Sequence, residues 1–346
     1  NILGSKNIPS AKALKSGLVD LVVNKPDELI PAAGKYAMEI VAGKVPKKIS
    51  SQLSTKVPGK EEIQAVIATA RVQTKKKSPN IVHPLLTLDA IEHGLLNGAN
   101  AGLKAEIQAF SKCLQHPAAN ALLHFFLASK ATTKIPGLDL KTAGKVKSVA
   151  ILGGGTMGAG IAICFLMKGI PVILKEINDD FLKAGVERIL NDIQTIVKAR
   201  KMSPFVVEYM MRGLKPQLTY DGFDKVDLVI EAVIEDIPLK QRIFAELEQK
   251  CSPTCILATN TSTINIENVV EKCKPETAKR VLGLHFFSPA HIMPLLEIVR
   301  TKHTDSQVLA TSVVLAKTIG KTPVVVGNCI GFVANRVFFP YGMAGA

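Results

Sequence analysis

The 346 residues contain no tryptophan, and aromatic residues of every kind make up only 5%. Few of them interleave with the lysines, and no recognised RNA-binding motif is present, which argues against a surface that stacks RNA bases. Cysteine is equally thin. Cys113, Cys164, Cys251, Cys255, Cys273 and Cys329 are scattered, and no histidine or cysteine follows the one close pair, Cys251 and Cys255, at zinc-like spacing. No metal site or disulfide framework is expected, and the thiols read as free and buried in an intracellular protein. Uncharged apolar runs are also rare. Residues 148–167 alone approach the length of a membrane span. Their glycines, and a charged flank on the Lys168 side only, fit a buried strand–turn–helix better. With no signal-like segment at Asn1, a soluble protein is expected.

Hydrophobic residues reach 47%, which makes the chain globular, and its length suggests two or three domains. The formal net charge of +14 is uneven. Residues 1–147 carry 21 Lys and Arg against 10 Asp and Glu, and the remainder 22 against 19. Such a basic first part suits a polyanion: nucleic acid, an acidic surface, or the phosphates of a coenzyme A thioester. Its densest cluster, Lys75-Lys76-Lys77, is equally well explained as a solvated face.

Along the chain, residues 1–9 read as a turn, followed by a short helix from Ser10 and a strand ending near Val23. Residues 26–43 are helical and capped by Gly43, and 44–60 form an exposed connection. Two amphipathic helices follow. One places Leu88, Ile91 and Leu95 on a face; the other does so with Leu103, Ile107, Phe110 and Leu114, and Pro117 stops it. Residues 121–129 supply a further apolar stretch, and 132–144 have the Pro, Gly and Lys content of a linker. After it, strands at 148–152, 171–175, 226–230, 255–259, 281–286 and 323–326 alternate with helices, including a long one over 179–200. That rhythm predicts an α/β domain with a doubly wound, mostly parallel sheet. A last helix spans 331–341.

The first strand of that domain runs into Gly153, Gly155 and Gly158 in G-x-G-x-x-G spacing. Gly153 permits a tight turn, Gly155 lets the backbone approach a pyrophosphate, and Gly158 lets the helix pack on the sheet. Thr156 and Met157 open a helix whose free N–H groups favour phosphate. Glu176 closes the second strand, where a carboxylate accepts ribose hydroxyls and repels a 2′-phosphate; NAD is favoured over NADP. Ligands in such sheets lie beyond the carboxyl ends of strands. Asn260-Thr261-Ser262 and His285 stand at two such ends, and Glu297 lies in a third apolar run, 295–299. An imidazole there suits proton removal from an alcohol, a buried carboxylate on its other nitrogen would orient it, and a serine and an amide would hold the substrate oxygen. Taken singly, His285 is also explained as a satisfied core histidine and Ser262 as a helix N-cap.

The stretches GGGTMGAGIA, VIEAVIED, ATNTSTI, GLHFFSPAHIMPLLEIV and GNCIGFVANR resemble the 3-hydroxyacyl-CoA dehydrogenase family, in the same order. Upstream, NILGSKNIPSAKALKSGLVDLVV resembles the end of an enoyl-CoA hydratase (crotonase) domain. Together they look like the multifunctional proteins of peroxisomal fatty-acid β-oxidation, especially the plant glyoxysomal form, over essentially the whole chain. The resemblance implies a Rossmann-type sheet preceded by a mostly helical crotonase remnant and a linker helix. Its boundaries would be 1–131, 132–144, 145–328 for the NAD-binding domain, and 329–346 for the start of a helical domain. It implies His285 as general base, Glu297 as its partner, and Ser262 and Asn335 on the substrate oxygen. Glu235 and Lys240 would lie near the nicotinamide half of NAD, with Asn260 close by. Ser288 stands where many relatives carry Asn. The implied reaction is oxidation of (3S)-3-hydroxyacyl-CoA by NAD in a peroxisome or glyoxysome. Hydratase activity would belong to an upstream part, and isomerase activity is left open. A mitochondrial or bacterial homologue is the alternative, and RNA binding by the basic part a secondary one. The resemblance also implies further helices after Ala346 that would cover Val333, Val337 and Phe338, so that this chain alone would be poorly active.

Overall fold

The structure is a computed structural model that describes residues 8–53 and 57–345. The turn expected at 1–9 lies mostly outside these residues, as does the middle of the connection expected at 44–60. The chain divides into two compact units, Asn1–Phe126 and Leu127–Ala346.

The first unit is helical. Helix α1 (Ser10–Ser16) ends on Gly17, which takes a left-handed φ of 77° and donates back to Leu14. The strand expected to end near Val23 does not form. Residues 18–23 have no partner strand among the described residues, and Leu18 and Leu21 are exposed, so the ladder that would stabilise an extended segment is missing. Helix α2 (Leu29–Val41) follows a short 3-10 turn at Pro26–Glu28. Helix α3 (Lys60–Lys77) was not expected from the apolar pattern, because it buries only Ile63 and Ile67. Those two pack on Leu88 of α4 (His83–Asn97), and Arg71 ties the helices through Asp89 and Glu92. Glu61 and Glu62 open α3 and Lys75–Lys77 close it, so both charge clusters offset the helix dipole. Helix α5 (Ala99–Gln115) lies so close to α4 that a Cβ on Gly102 would stand 2.7 Å from the Gly94 Cα. The face of α5 formed by Leu103, Ile107, Phe110 and Leu114 is exposed. Helix α6 (Ala118–Ala131) closes the helical series, its residues from Leu127 onward falling in the second unit.

In the second unit, residues 132–144 are a packed strap. Ile135, Leu138 and Leu140 lie against the sheet domain's core, and the Gly144 N–H donates to Thr311 Oγ1 at 2.9 Å. Eight strands form one sheet in the order β3-β2-β1-β4-β5-β6-β7-β8. They are β1 (Val149–Leu152), β2 (Val172–Lys175), β3 (Leu214–Gln217), β4 (Leu228–Glu231), β5 (Ile256–Thr259), β6 (Val281–Phe286), β7 (Leu295–Arg300) and β8 (Thr322–Gly327). Neighbours are parallel except β6 and β7, so the last two strands run against the rest. Two of the eight go beyond the six expected strands: β7, read from the sequence only as an apolar run at 295–299, and β3, a short edge strand containing Pro216, with Leu214 its one buried residue.

Helices cover both faces: α7 (Thr156–Leu166), α8 (Asp179–Ala199), α9 (Phe205–Arg212), α10 (Ile237–Lys250), α11 (Ile266–Val269), α12 (Pro275–Lys279) and α13 (Ser306–Thr318). Val149 and Ile151 enter one core cluster while Ala150 and Leu152 enter the other, which is why β1 reads as unbroken apolar sequence. The uncharged run at 148–167 is thus β1 and α7, and no helix among the described residues is long and apolar enough to cross a membrane. Helix α14 (Ala334–Ala344) starts later than expected because Gly331 and Phe332 both take positive φ, 74° and 48°. The cysteines are free; Cys164, Cys251 and Cys255 are buried, but Cys329, in the loop after β8, is exposed against expectation.

Candidate active site

Between β1 and α7 the chain makes the turn that the three glycines foreshadow. Gly153 has φ 97°, and a Cβ there would meet the Ala232 carbonyl oxygen at 2.7 Å. A Cβ on Gly158 would lie 1.8 Å from the Gly153 oxygen, so the helix approaches as closely as a bare backbone allows. A Cβ on Gly155 would meet nothing within 4 Å. Open space therefore faces the first turn of α7, where Thr156 and Met157 begin a helix whose leading N–H groups have no intrahelical acceptor. Open space beside free N–H groups is what a pyrophosphate needs. Glu176 follows β2 and accepts the Gly154 N–H on Oε1 at 2.6 Å. The turn, its helix end and this carboxylate fit the pyrophosphate and ribose of NAD.

At the ends of β4 and β5 lies a buried charge network. Glu231 is fully buried and accepts from Lys240 Nζ on both oxygens, at 2.7 and 2.9 Å, as well as from Thr259 Oγ1 and the Val233 N–H. Lys240, expected near the nicotinamide, is itself only 1% exposed. It reaches the cleft through Glu235, whose Oε2 lies 3.3 Å from Nζ. Glu235 accepts the Thr261 hydroxyl at 2.9 Å and the Ser262 N–H at 3.1 Å. Asn260 Oδ1 accepts the Phe286 N–H at 2.9 Å, tying the end of β5 to that of β6.

His285 and Glu297 are register partners across the antiparallel pair β6–β7, so their side chains emerge on the same face. His285 Nδ1 lies 2.8 Å from Glu297 Oε2, and both residues are buried. With the proton on Nδ1, Nε2 accepts from the Ser262 hydroxyl at 3.1 Å. The other Glu297 oxygen accepts the N–H groups of Val333 and Ala334, at 3.1 and 2.8 Å, from the start of α14. Burial raises the proton affinity of this carboxyl. The hydrogen bonds from His285, Ala334 and Val333 outweigh it, and the pKa falls below the ordinary glutamate value. Phe287 and Phe332 flank the imidazole, with ring centroids at 4.5 and 5.4 Å. Asn335 follows Ala334 on the first turn of α14.

Three further residues shape the site without having been anticipated. Glu231 had a visible signal, an acid at the end of the apolar strand LVIE. Arg188 and Lys321 gave none. Arg188 Nη1 donates to the Gly154 carbonyl at 2.7 Å, and Lys321 holds the loop after β6 through the carbonyls of Ala290 and Met293.

A phosphate cradle at the switch point of the sheet, with a buried imidazole–carboxylate pair on β6 and β7, defines the class of dinucleotide-dependent dehydrogenases on a doubly wound sheet. The family model described as 3-hydroxyacyl-CoA dehydrogenase, NAD binding domain, matches residues 148–329, and the chain belongs to that family. It is 46% identical over 345 residues to the peroxisomal fatty acid beta-oxidation multifunctional protein MFP2 of Arabidopsis thaliana, covering 99% of this chain and 47% of that protein. The glyoxysomal fatty acid beta-oxidation multifunctional protein MFP-a of Cucumis sativus is likewise 46% identical, with the same coverage. The chain thus spans about half the length of these curated relatives. Among solved structures, 3-hydroxybutyryl-CoA dehydrogenase from Escherichia coli superposes with a TM-score of 0.55 at 36% identity, covering 58% of this chain and 42% of that one. FadB2 of M. tuberculosis gives 0.56 at 34% identity, covering 58% and 71%.

Proposed function

We propose that the chain carries the dehydrogenase step of a peroxisomal or glyoxysomal β-oxidation multifunctional protein, oxidising (3S)-3-hydroxyacyl-CoA to 3-oxoacyl-CoA with NAD. The observation that carries this reading is the hydrogen-bonded chain Ser262–His285–Glu297, with its imidazole–carboxylate pair buried and its serine half-buried, in a dinucleotide-binding sheet. The names of the relatives support the pathway and compartment. Enoyl-CoA hydratase activity would reside upstream, and residues 1–131 would be the end of that domain and a helical linker.

NAD, when bound, supplies the hydride acceptor. Gly155, Thr156 and Met157 would hold its pyrophosphate and Glu176 its ribose. His285 Nε2 would take the proton of the 3-hydroxyl, while Ser262 and Asn335 bond the same oxygen. Glu297 keeps the Nδ1 proton in place, so Nε2 stays the accepting nitrogen, and it stabilises the positive charge that the ring gains. Glu235, anchored on Lys240, fixes the backbone of Ser262. Lys75–Lys77 are accounted for by the end of α3, so polyanion binding is not part of this reading.

The test is His285→Gln in the full-length protein, assayed with 3-hydroxybutyryl-CoA and NAD. Turnover should fall by roughly two to four orders of magnitude while NADH affinity is kept. Near-normal turnover would remove His285 from the role of base.

A further inference from the structure

We infer that Arg188 is a specificity-determining residue of the dinucleotide site, holding the glycine turn together with Glu176 and supplying the cation that a 2′-phosphate would meet if Glu176 were absent. This rests on the dinucleotide reading above. The two polar groups of one residue, Gly154, are bound by side chains of opposite charge. Its N–H donates to Glu176 Oε1 at 2.6 Å, and its carbonyl accepts from Arg188 Nη1 at 2.7 Å. These groups belong to the two successive peptides that join Gly154 to Gly153 and Gly155, so their orientation sets where the following N–H groups point.

The reach of Arg188 is built into α8. A Cβ on Gly185 would stand 3.1 Å from the Gly154 Cα and 3.2 Å from its oxygen, so the helix touches the turn at a residue without a side chain. Arg188 is three residues further along, on the same helix face. One of its five N–H donors serves the carbonyl. The residue is otherwise exposed, and among the described residues no carboxylate lies within 4.0 Å of its guanidinium. Its charge is therefore uncommitted, at the end of the cleft where Glu176 addresses the ribose. A guanidinium with free donors is the group that binds phosphate in bidentate fashion. With Glu176 in place, carboxylate repulsion excludes a 2′-phosphate. Without it, the same position would face an unopposed cation.

The absence of tryptophan makes reduced-nicotinamide fluorescence a clean probe of this chain. NADH and NADPH titrations would be run on the wild type, Arg188→Met, Glu176→Ser, Glu176→Ser/Arg188→Met and Glu176→Ser/Arg188→Lys. Arg188→Met should weaken NADH binding by about tenfold, the loss of one charge-assisted bond. Glu176→Ser should raise the NADPH-to-NADH affinity ratio by at least about tenfold. Adding Arg188→Met should remove that gain, and Arg188→Lys should keep part of it, which a purely structural role in the turn would not do. An equal ratio in Glu176→Ser and Glu176→Ser/Arg188→Met overturns the inference. A wild type that binds neither nucleotide overturns the dinucleotide reading instead.

Discussion

Glu297 uses its two oxygens for two different purposes, one on His285 and one on the backbone of Val333 and Ala334. Glu297→Gln separates them. The amide oxygen would keep the Val333 and Ala334 bonds, leaving the NH2 against Nδ1. The ring must then offer a lone pair at Nδ1 and carry its proton on Nε2, where it can no longer accept one. Turnover should drop by about a thousandfold or more, as for a wrong tautomer in a triad; a loss below tenfold would show that Glu297 does not set the tautomer. The same carboxyl predicts a pH dependence. Its folded pKa is depressed, so the unfolded chain binds more protons, and its stabilising contribution is complete above the ordinary glutamate value of about 4.3. That contribution is lost as pH falls through the lower folded value. Denaturant unfolding of wild type and Glu297→Gln should give a gap that is constant from pH 5 to 7 and narrows in acid; a gap that widens in acid would contradict this. Residues such as His285 and Ser262 were legible in the sequence because polar side chains at apolar strand ends need a reason to be there. Arg188 and Lys321 were not, since each acts on a carbonyl distant in sequence that no pattern reveals. Lys240 was expected near the nicotinamide only through the resemblance, and its burial was not legible at all, because only the fold sets Glu231 beneath it.

The strand–turn–helix unit makes its own prediction, through two glycines with opposite surroundings. Gly158→Ala would force a Cβ to within 1.8 Å of a carbonyl oxygen, so backbone must move, at a cost of about 3 kcal/mol or more. Gly155 has φ −62° and open space beside it, so Gly155→Ala should leave stability within about 0.5 kcal/mol. Its methyl group would instead occupy the cradle and weaken NADH binding at least tenfold. Thermal melts and NADH titration on both variants would check the contrast, and a stable Gly158→Ala that binds normally would refute it. The central strands were readable because apolar runs of four to six residues between turn residues suit a sheet covered on both faces. Edge strand β3, with a lysine, a proline and a glutamine after Leu214, carries no such run. Residues 18–23 show the converse: β-branched sequence without a neighbouring strand stays irregular.

For the molecule as a whole, a net charge of +14 coexists with exposed apolar faces, Leu103, Ile107, Phe110 and Leu114 on α5 and Val337 and Phe338 on α14. Patches of this kind drive association, while the charge opposes it. Self-association should therefore rise with ionic strength as repulsion is screened, and Ile107→Glu with Phe110→Glu should suppress it. Sedimentation of both proteins in low and high salt would decide, and association that weakens with salt would point to ion pairs instead. The bonds from Val333 and Ala334 to Glu297 carry one more consequence. Those two amides are a built-in reporter: once Glu297 takes up a proton, they lose a charged acceptor, and their hydrogen exchange should quicken relative to amides further along α14. The coupling is reciprocal. A molecule that clasps α14 more tightly while Glu297 is ionised must in turn make that interior carboxylate harder to protonate, so a contact on the protein's surface can be measured as a shift on a titration curve.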